Sequence, residues 1–465
     1  FQPTQLSKLM MPSASKAYLL FFSFALLASL ASAIYRPEQV HISLTKEPTE
    51  MAVTWITAGP TKASSATFFP TKTPAAAVTV EGEASSFKGV HGNEQFVHRA
   101  VFTRLKAGES YTYRVVEDGE ASQYFTFRVP AHSSPLKVVV FGDLGVFSGV
   151  SMPALLRLAE EPGSVDLILH IGDIAYDLFN QVIGDLFMTS MEPLIATVPY
   201  MVIPGNHEEE KGHNFTTYRN MFTMPDRDVG DNHFYSFDFG PIHFVAVSSE
   251  LYEYSSHYGP ESARAMYNWL QKDLEEYITR RSSHPWLIAY QHRPLYCSER
   301  STHACTSGEI QTLLNGFKDV PGLAPLYESA AADIVFAGHE HHYERFFPRN
   351  HTTEKVVDPY HDADGCTYIV SGAAGCHGSI SRFADEPAPF SAVRLRHYGY
   401  TLLTVHDASR IDLEQIDTQH GSQVVDSATF SKSAKKIASY DSEEVVQQRH
   451  HALREAAKGA THDDI

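Results

Sequence analysis

Five short blocks in this chain carry side chains of metal-ligand type: Gly142-Asp143, Gly172-Asp173-Ile-Ala-Tyr176, Gly205-Asn206-His207-Glu208, His292 and Gly338-His339-Glu-His341. A single Gly-Asp after an apolar run is an ordinary turn, and a nearby Tyr is usually packing. Repetition argues otherwise, because each block follows a run that reads as a buried strand. Two carboxylates, a phenol, an amide oxygen and three imidazoles exceed the positions of one tetrahedral site. They suit two metal ions bridged by a carboxylate at about 3.5 to 4 Å, a spacing used for hydrolytic displacement at phosphorus.

The elements that must position these residues are legible around them. Apolar strands are predicted at 136–141, at 165–170, ending near Pro204, at 243–247, 286–290, 333–336 and 367–370, with helices at 152–161 and 261–278 between them. That alternation gives βαβ units, and the ligand crevice of an open α/β sheet lies at the carboxyl ends of its strands. Residues 400–416 read as a closing antiparallel pair. The predicted catalytic domain spans 136–425, and 426–465, rich in Lys, Glu, Gln and His, reads as a polar C-terminal tail. Before it, 35–130 alternates in short strands and reads as an all-β sandwich. Its segment Leu105-Lys-Ala-Gly108-Glu-Ser-Tyr111-Thr-Tyr113 resembles the turn into a late strand of fibronectin type III domains. No acid, histidine or nucleophile cluster occurs there, so chemistry is not expected in it.

At 465 residues the chain has room for two domains, and its net charge of −18 argues against a nucleic-acid partner. The 25 histidines would more than offset that acidity if all were protonated, so charge balance changes on the acid side. Lys16, the apolar run 17–27 and Ala31-Ser-Ala33 form a signal peptide with a cleavage site before Ile34; 1–33 are assigned to it and to residues upstream of Met10-Met11. No other segment could span a membrane. Secretion, to the extracellular space or to lysosomes, would place the four cysteines in an oxidising compartment. Two local disulfides, Cys297 with Cys305 and Cys366 with Cys376, are then the simplest pairing. Sequons at Asn214 and Asn350 fit glycosylated surface loops.

In order and in combination, Gly142-Asp-Leu-Gly145, Gly172-Asp-Ile-Ala-Tyr176, Gly205-Asn-His-Glu208, His292 and Gly338-His-Glu-His341 resemble the motif blocks of purple acid phosphatases, over about residues 35–417. The resemblance implies a fibronectin type III-like sandwich followed by a metallophosphoesterase domain of two packed mixed β-sheets flanked by helices. It implies that Asp143, Tyr176 and His341 hold Fe(III), that Asn206, His292 and His339 hold a divalent ion (zinc, manganese or iron), and that Asp173 bridges the two. Small phosphate monoesters would be hydrolysed by a metal-bound hydroxide, with His207 contacting the phosphate or protonating the departing alkoxide. Residue chemistry fits the division, since a phenol ionises far below its usual pKa of about 10 only beside a strong Lewis acid.

The chain departs from the pattern in the block around His292. Relatives often carry substrate-facing histidines nine or ten residues beyond that ligand; here His303, eleven beyond, is the candidate. Arg345 is expected to be an ion-pair partner, His342 a surface neighbour, and His377 lies on a glycine-rich loop, 375–378, that could approach the site. Two other functions use the same features: a colourless dizinc phosphodiesterase or nucleotidase, which has no need of Tyr176, and a secreted binding protein with a vestigial hydrolase domain, which should have lost some ligands.

Overall fold

The computed structural model describes residues 36–131, 135–161, 163–300, 305, 308–349, 360–363, 365–388 and 390–458. The predicted signal segment, His303 and Asn350 lie outside them.

The first domain is a sandwich of a four-stranded sheet (Glu38–Leu44, Met51–Thr57, Glu94–Phe102, Glu83–Lys88 in spatial order) on a second antiparallel sheet built around Ser64–Pro70 and Ser110–Glu117. Strand Ser110–Glu117 alternates buried and half-buried positions, as a strand with one face on a core must. Trp55, Phe102, Tyr113 and Phe127 fill the space between the sheets. The sandwich docks by side-chain to backbone bonds: Tyr113 Oη donates to Ala196 O (2.8 Å), and Val40 N donates to Glu192 Oε2 (2.9 Å).

The second domain packs two mixed sheets face to face. One has six strands, in the order Tyr200–Ile203, Leu167–Ile171, Leu136–Phe141, Gly399–Val405, Arg410–Asp417, Gln423–Ser431. The other has seven, and its centre is the parallel set Ile242–Val247, Trp286–Tyr290, Ile334–Ala337, Thr367–Ser371. Why these strands read as unbroken apolar runs is visible in their parity. Phe244, Ile288, Tyr290, Phe336 and Ile369 face the other sheet, where they meet Val138, Val140 and Leu403. The alternate residues Val245, Leu287, Ala289, Val335 and Val370 face a separate cluster under the helix Glu261–Ile278, with Leu270, Leu274 and Tyr277. The parallel strands of both sheets deliver their carboxyl ends to one place.

Three expectations need correction. Residues 426–458 are no polar tail. Strand Gln423–Ser431 completes the six-stranded sheet, and the helix Glu443–Lys458 that follows buries Leu453 in the helical cluster. Asp426 forms a bidentate ion pair with Arg345 (2.8 and 2.9 Å) and accepts from Tyr343 Oη (2.7 Å). Polar composition concealed an edge strand whose outward face is solvated, and a helix with a single fully buried apolar residue. Cys297 and Cys305 are bonded, with Cα atoms 5.3 Å apart, but Cys366 and Cys376 are free and buried. Strand Thr367–Ser371 runs between those two cysteines and carries them to opposite ends of the sheet. At about 3.3 Å per residue that strand alone spans roughly 16 Å, against the 7 Å limit for bridged Cα atoms. His342, expected near the surface, is fully buried against Phe383 and beside Glu344. Asn214 is exposed. No helix among the described residues is long and apolar enough to cross a membrane.

A buried histidine far from the metal-ligand blocks gives the domain a pH-dependent stability. His243 lies between Asp238 (Nδ1 to Oδ1, 2.7 Å) and Asp273 (Nε2 to Oδ2, 2.9 Å), stacked on Tyr277. Burial alone would lower its pKa, but the two carboxylates raise it above 6.5. Asp238, which burial would raise, is instead drawn down to about 2 by His243, Arg280 and His284. The His243 contribution is therefore fully present below pH 6.5 and is lost as pH rises through the folded value. The Asp238 contribution is present above its usual 3.8 and is lost as pH falls through about 2. His243→Gln is expected to cost about 1.5 to 3 kcal/mol in urea unfolding at pH 5 and distinctly less at pH 8.

Candidate metal centre

Each predicted donor sits just past a strand end: Asp143 after Leu136–Phe141, Asp173 and Tyr176 after Leu167–Ile171, Asn206 after Tyr200–Ile203, His292 after Trp286–Tyr290, and His339 and His341 after Ile334–Ala337. The turns are stitched together by backbone bonds, Asp143 N to Gly172 O (3.0 Å) and Gly338 N to His292 O (2.8 Å) among them. The left-handed backbone these turns need falls mostly on the donors themselves. Asp143 (φ 61°), Asp173 (51°), Tyr176 (51°) and His339 (67°) all have positive φ, an uncommon conformation that persists where the surroundings fix it. The glycines chiefly leave space. A Cβ on Gly205 would stand 2.2 Å from Asp173 Oδ1, one on Gly172 2.3 Å from His292 Nδ1, and one on Gly338 2.6 Å from Asp143 Oδ2.

The donor atoms sort into two triads. In one, Tyr176 Oη lies 3.2 Å from Asp143 Oδ1 and 2.9 Å from His341 Nε2, and His341 Nε2 lies 3.4 Å from Asp143 Oδ1. In the other, Asn206 Oδ1 lies 3.1 Å from His292 Nε2 and 2.9 Å from His339 Nδ1. Asp173 stands between them, its Oδ1 3.5 Å from His292 Nε2. Ligand atoms of Asp143, Asp173 and His292 all fall within 4.8 Å of one another.

The chemistry of this set fits cations. His292 Nδ1 donates to Ile171 O (2.9 Å), which turns the lone pair of Nε2 toward the oxygens of Asn206 and Asp173. Burial pushes His292 down to about 4, so that ring is neutral and three acceptors face one another with no proton between them. Burial, with the Arg293 guanidinium adding, pushes His339 well down too. Burial and the carboxylates of Asp143 and Asp173 push the Tyr176 phenol far up, so that only a strong Lewis acid would ionise it.

Several supporting residues have no sequence expectation. Glu208, fully buried, accepts from the amides of Asp173 (3.0 Å), Ile174 (2.9 Å) and Gly205 (2.8 Å), locking two donor turns together. Glu250 holds Arg293 through Nε (2.9 and 3.1 Å), and Arg293 Nη1 lies 3.2 Å from His339 Nε2. A charged residue directly after His292 and a Glu directly after His207 were the available signals. His207 lies at the rim, half-exposed: its amide donates to Asp173 Oδ1 (3.0 Å), its Nε2 is 3.9 Å from Asp173 Oδ2, and its ring meets that of Tyr176 edge-on at 4.7 Å.

Comparison with known proteins agrees with this architecture. Residues 37–129 match the family model "Purple acid Phosphatase, N-terminal domain", 136–343 match "Calcineurin-like phosphoesterase", and 365–427 match "Iron/zinc purple acid phosphatase-like protein C". The chain is 36% identical over 423 residues to human "Acid phosphatase type 7", covering 88% of this chain and 94% of that one. It is 32% identical over 387 residues to "Purple acid phosphatase 21" of Arabidopsis thaliana, covering 81% and 80%. Among solved structures, the purple acid phosphatase from yellow lupin seeds superposes with a TM-score of 0.74 at 24% identity, over 87% of this chain and 76% of that one, and so shares its fold.

Proposed function

The chain belongs to the purple acid phosphatase family, and on that premise we propose that it hydrolyses small phosphate monoesters in acid at a dinuclear Fe(III)–M(II) centre. Iron(III) is assigned to Asp143, Tyr176 and His341, a zinc, manganese or iron(II) ion to Asn206, His292 and His339, and the bridge to Asp173. The observation that carries this is the separation of the donors into two triads on either side of Asp173, with a phenol in only one of them. When bound, such a pair neutralises phosphoryl oxygens and acidifies a water for attack on phosphorus.

The protein's own groups do the rest. Asp173 takes the amide of His207 and so fixes the backbone that carries the imidazole. The His207 ring can meet the leaving oxygen and give it a proton. Glu208 keeps the two carrier turns in register, and the Glu250–Arg293 pair buttresses His339 from behind. Secretion is part of the same proposal, supported by the Cys297–Cys305 bond and by exposed Asn214 in a sequon. The test is turnover of an aryl phosphate monoester against the matching diester, at acid and neutral pH. Faster monoester turnover in acid is expected; preference for the diester at neutral pH would favour a dizinc phosphodiesterase instead.

A further inference from the structure

The loop Gly375–Cys376–His377–Gly378 closes the ferric side from above and is held there by its backbone. The amides of Gly375 and Cys376 both donate to the Asp143 carbonyl, at 2.9 and 2.6 Å, and the His377 amide faces the Tyr176 hydroxyl. Space forces this path: a Cβ on Gly375 would lie 1.9 Å from Leu144 O, and Gly378 takes φ +109°. The backbone under His377 is thus fixed, while its side chain is exposed at the mouth. Its ring lies 5.5 Å from that of Tyr176 and 6.2 Å from that of His207. Two imidazoles therefore cluster with Tyr176, one carried by the Asn206 turn and one by the loop after Thr367–Ser371.

We propose that His377 is a second substrate-contacting residue, whose imidazole N–H bonds an oxygen of the phosphoryl group beside His207. An imidazole has at least one N–H in either charge state, so this contact does not depend on titration. With the backbone pinned, only the side-chain rotamers of His377 remain to be ordered on binding. The predicted substrate histidine, His303, belongs to a different stretch of the sequence, between Cys297 and Cys305, so the two roles are separable. The proposal rests on the phosphatase reading.

The test compares wild type, His377→Ala and His377→Gln in kcat and KM for an aryl phosphate, inhibition by inorganic phosphate, metal content and the visible band of the resting protein. Loss of one neutral hydrogen bond should raise KM and the phosphate inhibition constant in the Ala variant about tenfold. kcat should hold within about threefold on the same grounds, because the contact is made equally in the ground state. Gln should restore most of the affinity, and band and metal content should not change. Unaltered KM and phosphate inhibition would overturn the proposal, and so would a displaced band with unaltered KM, which would mark a packing role on Tyr176. A metal-loaded wild type that neither hydrolyses monoesters nor binds phosphate would sink the phosphatase reading itself, a result distinct from a silent His377 variant.

Discussion

Asp173→Asn is expected to release both metals and to lower kcat/KM by about three orders of magnitude or more, equivalent to roughly 4 kcal/mol of transition-state stabilisation. Asp173 is nearly fully buried, its Oδ1 faces the second triad at His292 Nε2 (3.5 Å), and its ligand atom lies within 4.8 Å of that of Asp143 in the first. Asp143, whose ligand atom also lies within 4.8 Å of that of His292, makes its shorter contacts to Tyr176 and His341 of the first triad. Asn is isosteric but removes the negative charge that offsets two cations in a buried site. The fold should survive, because the backbone at 173 remains held by Glu208 Oε2. Metal analysis after gel filtration, with the unfolding midpoint as control, reads the outcome. Asp143→Asn should by contrast deplete chiefly the ion proposed for the first triad, to which it belongs.

His207→Ala is expected to leave metal content intact and to reduce kcat in a way that follows the leaving group. General-acid assistance is typically worth 10² to 10⁴ in rate, so turnover of an alkyl phosphate should fall by at least about a hundredfold. For a nitrophenyl phosphate, whose leaving group departs without a proton, the loss should stay within about tenfold on the same grounds. The structure motivates this by what His207 is not. Its side chain is 36% exposed, and its Nε2 stays 3.9 Å from the nearest Asp173 oxygen, while the rings of His292 and His339 are turned into the second triad. Equal losses for both substrates would assign His207 to holding Tyr176 or the bridge, not to proton transfer.

The metal-donor blocks were legible because each follows an apolar strand and four of the five, all but His292, add a glycine exit, repeated on neighbouring strands. The backbone conformation of these turns was not legible: positive φ falls on Asp143, Asp173, Tyr176 and His339 as well as on Gly172, while Gly205 and Gly338 make room for carboxylates. The supporting contacts were not legible, because they join residues far apart in sequence. Glu250 meets Arg293 across 43 positions, and Asp426 meets Arg345 across 81, so neither spacing nor periodicity marks them. Cysteine arithmetic failed at Cys366 and Cys376 for a geometric reason, since a separation of ten is short in a loop but long when a strand lies between. The C-terminal strand and helix failed on composition, because an edge strand and a half-solvated helix carry little apolar signal. His377 was visible as a residue on a glycine-rich loop that could approach the site; its place beside Tyr176 and His207 required the three backbone contacts that fold the loop over Asp143 and Tyr176.

Tyr176 is proposed to bind iron(III) on one side of a bridged pair. Metal analysis combined with the visible spectrum of the purified protein tests it most directly. One iron and one divalent ion per chain are expected, with a broad phenolate-to-iron band in the visible that disappears in Tyr176→Phe while the divalent ion is retained. A colourless, active protein holding two zinc ions, with a spectrum indifferent to Tyr176→Phe, would contradict it.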